Sequence, residues 1–241
     1  MSASTMARCA AFLSALACSL TAPLGAVAAP AAAPPDNTYA FSVARNGQKV
    51  GASTLTVKRV GASIAIHEIE TFTGVTDTVD EALDPETLLP GSYTSSFPLT
   101  AEVGITAHLA FYSGGARETV DGTTGETDFK LESGTSHLVV IDGAMMSGFF
   151  FLPAQIKALS LTAFTALAPS RADTYDCQLD ATASTTRPPA VPQADVSVTV
   201  DGTSPTGNVQ FVEWYDPRSM IVDEVDVPAN QVTIALTRGT H

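Results

Sequence analysis

The segment Val103-Gly-Ile-Thr-Ala-His-Leu-Ala-Phe-Tyr112 alternates strictly between two kinds of side chain. One kind is apolar and consists of Val103, Ile105, Ala107, Leu109 and Phe111, while the positions between them include Thr106, His108, Ala110 and Tyr112. Successive side chains of a β-strand point to opposite faces, so an alternation of this kind indicates a strand with one buried face. The segment predicts a sheet that is covered on one side.

The same period of two recurs on both sides of this segment. Tyr39, Phe41 and Val43 alternate with small residues as far as Asn46-Gly47, a dipeptide typical of tight hairpin turns. Short strands with turn signals between them, and almost no helical periodicity, predict an all-β dominated domain. We expect a single curved antiparallel sheet or half-barrel, with one or two short helices packed on its concave face.

The alternation changes phase once near the N-terminal half of the predicted sheet. Ile64 and Ile66 are followed by Ile69, so the apolar positions skip a step around Glu68. If apolar residues are assigned to the inner face throughout, this phase change predicts a β-bulge or a strong bend at Glu68.

One segment, Asp142–Leu159, does not alternate and is rich in Met and Phe. Its apolar residues recur at three- and four-residue spacing, which favours a helix, although Pro153 predicts two short pieces rather than one. The segment either completes the core or lines a cavity for an apolar ligand, with Gly143 and Gly148 allowing it to move as a lid. The predicted lining residues are Met145, Met146, Phe149, Phe150, Leu152 and Ile156.

The N-terminus has the pattern of a secretory signal peptide. Arg8 is the only charged residue before Asp36, and a short apolar run ends at a small-residue site that favours cleavage after Ala28. The run is too short for a transmembrane helix. We therefore predict a signal peptide at 1–28, a linker at 29–37 and a β-domain at 38–241. Cleavage before Cys18, giving a lipoprotein, and a true start at Met6 instead of Met1 remain open.

Composition limits the possible partners. The chain has 241 residues with 12 Lys and Arg against 25 Asp and Glu, a net charge of −13, which excludes a typical nucleic-acid binder. Removal of the signal peptide leaves Cys177 as the single cysteine, so the mature domain cannot form an internal disulfide. We interpret Cys177 as a small buried side chain.

No sequence motif indicates catalysis, a cofactor or a metal site. The four histidines (His67, His108, His137 and His241) lie in no recognisable catalytic or zinc-binding spacing. Acidic residues cluster at Asp77, Asp80, Glu81, Asp84 and Glu86 and again at Asp223, Glu224 and Asp226. We interpret the first cluster as a solvated surface and the second as charges that protect an edge strand.

A family resemblance supports the predicted architecture. The opening Tyr39-Ala-Phe-Ser-Val-Ala-Arg-Asn-Gly-Gln-Lys-Val-Gly51 and the closing Val212-Glu-Trp-Tyr-Asp-Pro-Arg218 resemble exported bacterial proteins of the DUF3108 type. Those families are similar to the half-barrel LolA and LolB carriers, which move lipoproteins across the periplasm. The resemblance implies a curved antiparallel sheet around one or two helices with an apolar ligand between them, and it transfers no functional residue.

Three function classes remain open at this stage. The leading hypothesis is an exported periplasmic or envelope protein, or a secreted one, that binds or carries a lipid or another apolar molecule. The second is an envelope structural or interaction protein with a protein partner and no small ligand. The third is a hydrolase or lyase in which the fold brings carboxylates and a histidine together.

Overall fold

The computed structural model describes residues 33–98, 104–131, 137–143, 145–180 and 196–237. The predicted signal peptide at 1–28, with Cys18, and also Val103 and His241 lie outside the described residues. Within the described ranges, fifteen strands, one α-helix and two 3₁₀ turns form. They are β1 (Asn37–Arg45), β2 (Gln48–Val60), β3 (Ser63–Phe72), β4 (Val75–Leu83), β5 (Pro90–Pro98), β6 (Gly104–Tyr112), β7 (Gly115–Val120), β8 (Glu126–Lys130), β9 (Leu138–Val140), α1 (Met146–Leu159), β10 (Ala163–Ala168), the first 3₁₀ turn (Pro169–Arg171), β11 (Asp173–Asp180), β12 (Val196–Ser204), β13 (Gly207–Tyr215), β14 (Val222–Val227), the second 3₁₀ turn (Pro228–Asn230) and β15 (Val232–Leu236).

The described strands belong to one sheet, which curves without closing on itself. Its order is β8-β7-β6-β5-β4-β3-β2-β1-β15-β14-β13-β12-β11-β10-β9, so two meanders meet where the first strand pairs with the last. Neighbouring strands are antiparallel except β9 and β10, which are parallel. The helix α1 packs against β2, β3, β9 and β14 and lies inside the curve. The predicted fold class is confirmed, with one helix.

The Asn46-Gly47 turn joins β1 and β2 as predicted. Arg45 lies opposite Gln48, which leaves two residues in the loop. Both have positive φ angles, 53° at Asn46 and 73° at Gly47, which is the conformation that a two-residue turn needs to match the twist of the strands.

The strand β6 has the two faces that its sequence predicts. Ala107 and Leu109 are buried, whereas Tyr112 on the opposite face is 46% exposed. Ile105 and Phe111 share the inner face with intermediate burial. The alternation therefore identifies the side of β6 that faces the interior.

The predicted bulge at Glu68 is wrong, because β3 pairs with β2 and with β4 without any shift in register. Ile64, Ile66, Glu68 and Glu70 all face inward and are buried, while Ile69 faces outward and is 43% exposed. The strand keeps its period of two, and the inner face itself changes from apolar to acidic. The inner face of β3 therefore brings two carboxylates, Glu68 and Glu70, into the interior.

The prediction of two helical pieces is also wrong, because α1 continues through Pro153 from Met146 to Leu159. Its first ten residues are buried except Gly148, so the helix is enclosed on almost every side. A helix that is apolar all round belongs to a core, and burial stabilises it despite the hydrogen bond that a proline removes. Within the described ranges, no helix combines the length and the apolar character needed to cross a bilayer.

Aromatic packing fixes α1 in the centre of the sheet. The ring of Phe150 lies 4.6 Å from the ring of Tyr39 and 6.0 Å from the ring of Phe41, measured between centroids. On another side of the helix, Phe149 lies 5.1 Å from Phe211 in an edge-to-face contact. The helix therefore joins the two meanders into one core.

Gly148 allows α1 to approach β9 closely, and this packing argues against its role as a hinge. A Cβ atom at position 148 would overlap the carbonyl oxygen of Val140. We expect Gly148→Ala to lower the free energy of unfolding by about 2 kcal/mol or more, because the backbone of β9 or α1 must shift. Urea denaturation followed by the fluorescence of Trp214, the single tryptophan, measures this.

Gly125→Ala is the matched control for that substitution. Gly125 is exposed, and a Cβ atom there would meet nothing within 4 Å. It should leave the urea midpoint unchanged, and an equal loss of stability in both variants would contradict the packing argument.

Candidate functional site

A cavity of about 340 Å³ lies inside the curve of the sheet, beside the segment that leads into α1. Strands β3, β4 and β5 form one wall, and residues near the ends of β1, β14 and β15 form another. Its apolar lining includes Phe72, Val79, Phe97, Met145, Val227 and Ile234, and its polar lining includes Glu70, Asp77, Tyr93, Ser95, Asp142 and Ser170. Arg45 and Arg171 also border the cavity and are exposed. The volume lies at the lower end of the range of small-molecule sites.

The structure separates the six residues predicted to line a cavity. Met145 borders the 340 Å³ cavity, and Phe149 borders a second cavity of about 110 Å³. The remaining four belong to the core or pack on it: Met146, Phe150 and Leu152 are fully buried, and Ile156 is partly buried against the same cluster. The Met- and Phe-rich segment thus contributes its beginning to the cavity and most of its length to the core.

The second cavity lies next to the first. Both are bordered by Gly143, Arg171, Val227 and Asn230. The shared residues make the two spaces neighbours, so a ligand in the larger cavity could contact residues that also border the smaller one.

Two carboxylates, Glu70 and Asp77, lie side by side in the larger cavity. They are directly opposite each other on β3 and β4, a position in which Cβ atoms are about 5 Å apart. Glu70 is only 3% exposed, and one oxygen of each carboxylate, Glu70 Oε1 and Asp77 Oδ1, is buried without a hydrogen-bond partner. The hydroxyl of Tyr93 on β5 is also buried without a partner. Buried polar atoms are normally satisfied, and although Gln155 Oε1 and both carboxylate oxygens of Glu213 are also unpartnered in the described ranges, only these three border a cavity in which a ligand or solvent group could satisfy them.

A third carboxylate, Asp142, enters the cavity from the turn before α1. It accepts hydrogen bonds from the backbone N–H and the hydroxyl of Ser170 in the first 3₁₀ turn. The charge of Arg171 acts on it favourably, although burial still raises its pKa. Asp142 is therefore a fixed group at the cavity wall.

The electrostatics of Glu70 distinguish it from Asp142. Burial raises the pKa of Glu70 to about 8, and the negative charges of Glu68, Asp77 and Asp142 add to the effect. Burial and the charge of Asp142 likewise raise the pKa of Asp77. Every charge that acts on Glu70 is negative, so its ionised form has no cationic partner in the described part of the chain.

Glu68 positions α1 at the edge of the cavity. Its carboxylate accepts hydrogen bonds from the backbone N–H groups of Met146 (2.7 Å) and Ser147 (2.8 Å) and from the hydroxyl of Ser53 (2.6 Å). Met145 at the N-cap position has no side-chain capping bond, and the first turn of α1 contains no acidic residue. A distant carboxylate therefore satisfies the free N–H groups of the helix, while its burial raises its pKa.

The interpretation of the first acidic cluster as a solvated surface is wrong for two of its members. Asp77 faces the cavity and Glu81 is buried on the inner face of β4, whereas Asp80, Asp84 and Glu86 are exposed. Burial raises the pKa of Glu81 to about 8. The acidic residues of β4 thus divide between the two faces by their position in the strand.

The interpretation of the second cluster as edge-strand charges is wrong as well. β14 lies between β13 and β15, and Asp223 and Glu224 are buried within it. Burial raises the pKa of Glu224 to about 7. Cys177 is buried and free, as predicted, and burial raises the pKa of its thiol to about 12.

The described histidines do not join the cavity. His67 pairs with Asp80 at 2.8 Å, and His108 lies 3.4 Å from Asp121, in both cases between largely exposed side chains. His137 lies before β9 and does not border the cavity. Over the described ranges, no three His, Cys, Asp or Glu side chains are grouped as a metal site would require. The cavity therefore offers carboxylates, hydroxyls, two exposed arginines at its border and an apolar wall.

Comparisons with protein-family models, curated proteins and solved structures find no match to this chain. The function is therefore inferred from the geometry of the cavity and from the sequence.

Proposed function

We propose that the protein is exported to the periplasm or envelope and binds or carries a lipid or another apolar or amphiphilic molecule inside its curved sheet. The observation that carries the proposal is the 340 Å³ cavity, whose wall combines apolar side chains with a few convergent polar groups. That combination is typical of small-molecule sites, in which apolar contacts give affinity and polar groups fix orientation. The signal-peptide pattern supports export. The resemblance to exported proteins of the DUF3108 type, which are themselves similar to the half-barrel LolA and LolB carriers, agrees with both export and ligand binding.

The cavity also favours this proposal over the two alternatives. A purely structural protein gains nothing from unsatisfied polar atoms at Glu70, Asp77 and Tyr93, which cost stability when they are buried without partners. A hydrolase or lyase that uses a histidine with carboxylates is not favoured, because none of the described histidines borders the cavity.

Filling the cavity should weaken ligand binding without unfolding the protein. Ser95 lies on the inner face of β5 and borders the cavity. We expect Ser95→Leu to weaken the binding of octanol, used as a simple amphiphilic probe, by about tenfold or more, because the larger side chain occupies the same space. Isothermal titration calorimetry measures the affinity, and circular dichroism verifies the fold.

The control is Ser92→Leu, the same substitution on the exposed outer face of β5. It should bind octanol like the natural protein. Equal binding by all three proteins would show that the probe lies elsewhere, and the absence of binding to the natural protein would count against a site for apolar chains.

A further inference from the structure

The carboxylates of the cavity define the polar end of the ligand more narrowly than the proposed function does. Glu70 is almost completely buried, borders the cavity and has one oxygen with no hydrogen-bond donor. Asp77 lies directly opposite Glu70 on β4 and has a second buried oxygen with no hydrogen-bond donor. When Glu70 is ionised, these two acceptors on neighbouring strands need a group that supplies at least two donors.

We infer that the ligand is an amphiphile with a primary ammonium group, seated between Glu70 and Asp77, with its apolar part against the Phe72 and Val79 side of the cavity. An ammonium group has three N–H donors, so it can satisfy both free oxygens, whereas a hydroxyl group has one. This inference rests on the proposed function, because it assigns the head group of the same ligand.

The charge balance of the site supports a cation. The negative charges of Glu68, Asp77 and Asp142 all act on Glu70, and in the described part of the chain no positive charge offsets them there, although Arg45 and Arg171 border the same cavity. Arg171 acts on Asp142, which Ser170 also holds, so that carboxylate already has partners. A bound ammonium group would supply the cation that the Glu70–Asp77 pair lacks, and charge-assisted hydrogen bonds of this kind are the strong ones.

The apolar wall explains why the cation should be part of an amphiphile rather than an inorganic ion. Phe72 lies two residues after Glu70 on β3, and Val79 lies two residues after Asp77 on β4. Both border the same cavity as the two carboxylates. No group of three His, Cys, Asp or Glu side chains in the described ranges has the arrangement of a metal site. An alkyl chain beside the ammonium group would cover the apolar wall and exclude water from the charge pair.

Calorimetry with three probes that share an octyl chain tests this inference. At pH 8.5, where Glu70 is ionised and the ammonium group of octylamine is still protonated, octylamine should bind the natural protein about tenfold more tightly than octanol, which lacks the charge. Octyltrimethylammonium, which has the charge but no N–H donor, should bind more weakly than octylamine. If octanol binds as tightly as octylamine, the inference about the head group is overturned while the apolar site remains.

Variants separate the head-group site from the rest of the cavity. Glu70→Gln should weaken octylamine binding about tenfold and leave octanol binding unchanged, and Asp77→Asn serves as the second variant if the first does not fold. The control Glu86→Gln removes an exposed carboxylate and should change neither affinity. Unchanged octylamine binding by folded Glu70→Gln and Asp77→Asn proteins would overturn the inference. If neither octylamine nor octanol binds the natural protein, both the inference about the head group and the proposed function are wrong.

Discussion

The melting temperature of the protein is expected to fall by about 20 °C or more as the pH rises from 5 to 8. Burial raises the pKa of both Glu70 and Glu81 from 4.5 to about 8, and that of Glu224 to about 7. A pKa that differs by one unit between the folded and the unfolded protein corresponds to about 1.4 kcal/mol, so one such glutamate changes the free energy of unfolding by several kcal/mol. For a domain of this size, 1 kcal/mol shifts the melting temperature by about 2–4 °C.

The direction follows from proton binding. Between pH 4.5 and pH 8 the folded protein keeps protons on these glutamates that the unfolded chain has already released. The resulting stability is fully present below pH 4.5 and is lost as the pH rises through the folded-state values. Burial in the interior therefore predicts a protein that is most stable in mild acid.

Thermal unfolding followed by circular dichroism between pH 5 and pH 8.5 measures this dependence. The double variant Glu70→Gln, Glu81→Gln should flatten the profile and raise the melting temperature at pH 8, because glutamine mimics the protonated acid without a charge to bury. A melting temperature that rises from pH 5 to pH 8, or an unchanged slope in the double variant, would show that these glutamates are not buried as described.

Glu68→Ala is expected to lower the free energy of unfolding by about 3 kcal/mol or more. The substitution removes the acceptor for the N–H groups of Met146 and Ser147 and for the hydroxyl of Ser53. Each buried donor left without a partner costs about 1–3 kcal/mol, and the N-terminus of α1 has no capping side chain of its own. Urea denaturation at pH 6 measures the loss.

Glu81→Gln is the matched control, since Glu81 is a buried glutamate on the neighbouring strand and lies directly opposite Ile66. No hydrogen bond is made by its side chain to the described residues, so the substitution should be neutral or stabilising at pH 6. If Glu68→Ala and Glu81→Gln change stability equally, the role of Glu68 at the helix N-terminus is wrong.

The sequence predicts those parts of the fold that depend on local patterns. The alternation in β6 and the Asn46-Gly47 turn need only the pleat of a strand and the φ preference of a tight turn. In contrast, the pairing of β1 with β15 joins residues from the two ends of the chain. Without that pairing, β14 looks like an edge strand, and its Asp223 and Glu224 look exposed.

The sequence does not predict the carboxylates of the cavity when every charged residue is assigned to the surface. Ile64, Ile66, Glu68 and Glu70 follow one another at steps of two, so their shared face was visible in the sequence. Assigning the acidic residues outward required a bulge that the strand does not have. Conflicts between a residue type and its position in a strand are expected at functional sites, and this conflict marked the cavity wall.

For α1 the prediction from sequence is wrong for a different reason. Pro153 predicts a break from local propensity alone, but burial of the surrounding Phe and Leu side chains outweighs the lost backbone hydrogen bond. The same burial places Phe150 and Leu152 in the core, where no sequence pattern distinguishes them from cavity-lining residues.

Extraction of the natively purified protein with organic solvent, followed by mass spectrometry, tests the central claim most directly. The protein is purified from the periplasmic or envelope fraction, with Ser95→Leu purified in parallel. We expect about one apolar or amphiphilic molecule per chain in the natural protein and a strongly reduced amount in Ser95→Leu. An empty natural protein, or the same molecule in equal amount in both proteins, would contradict it.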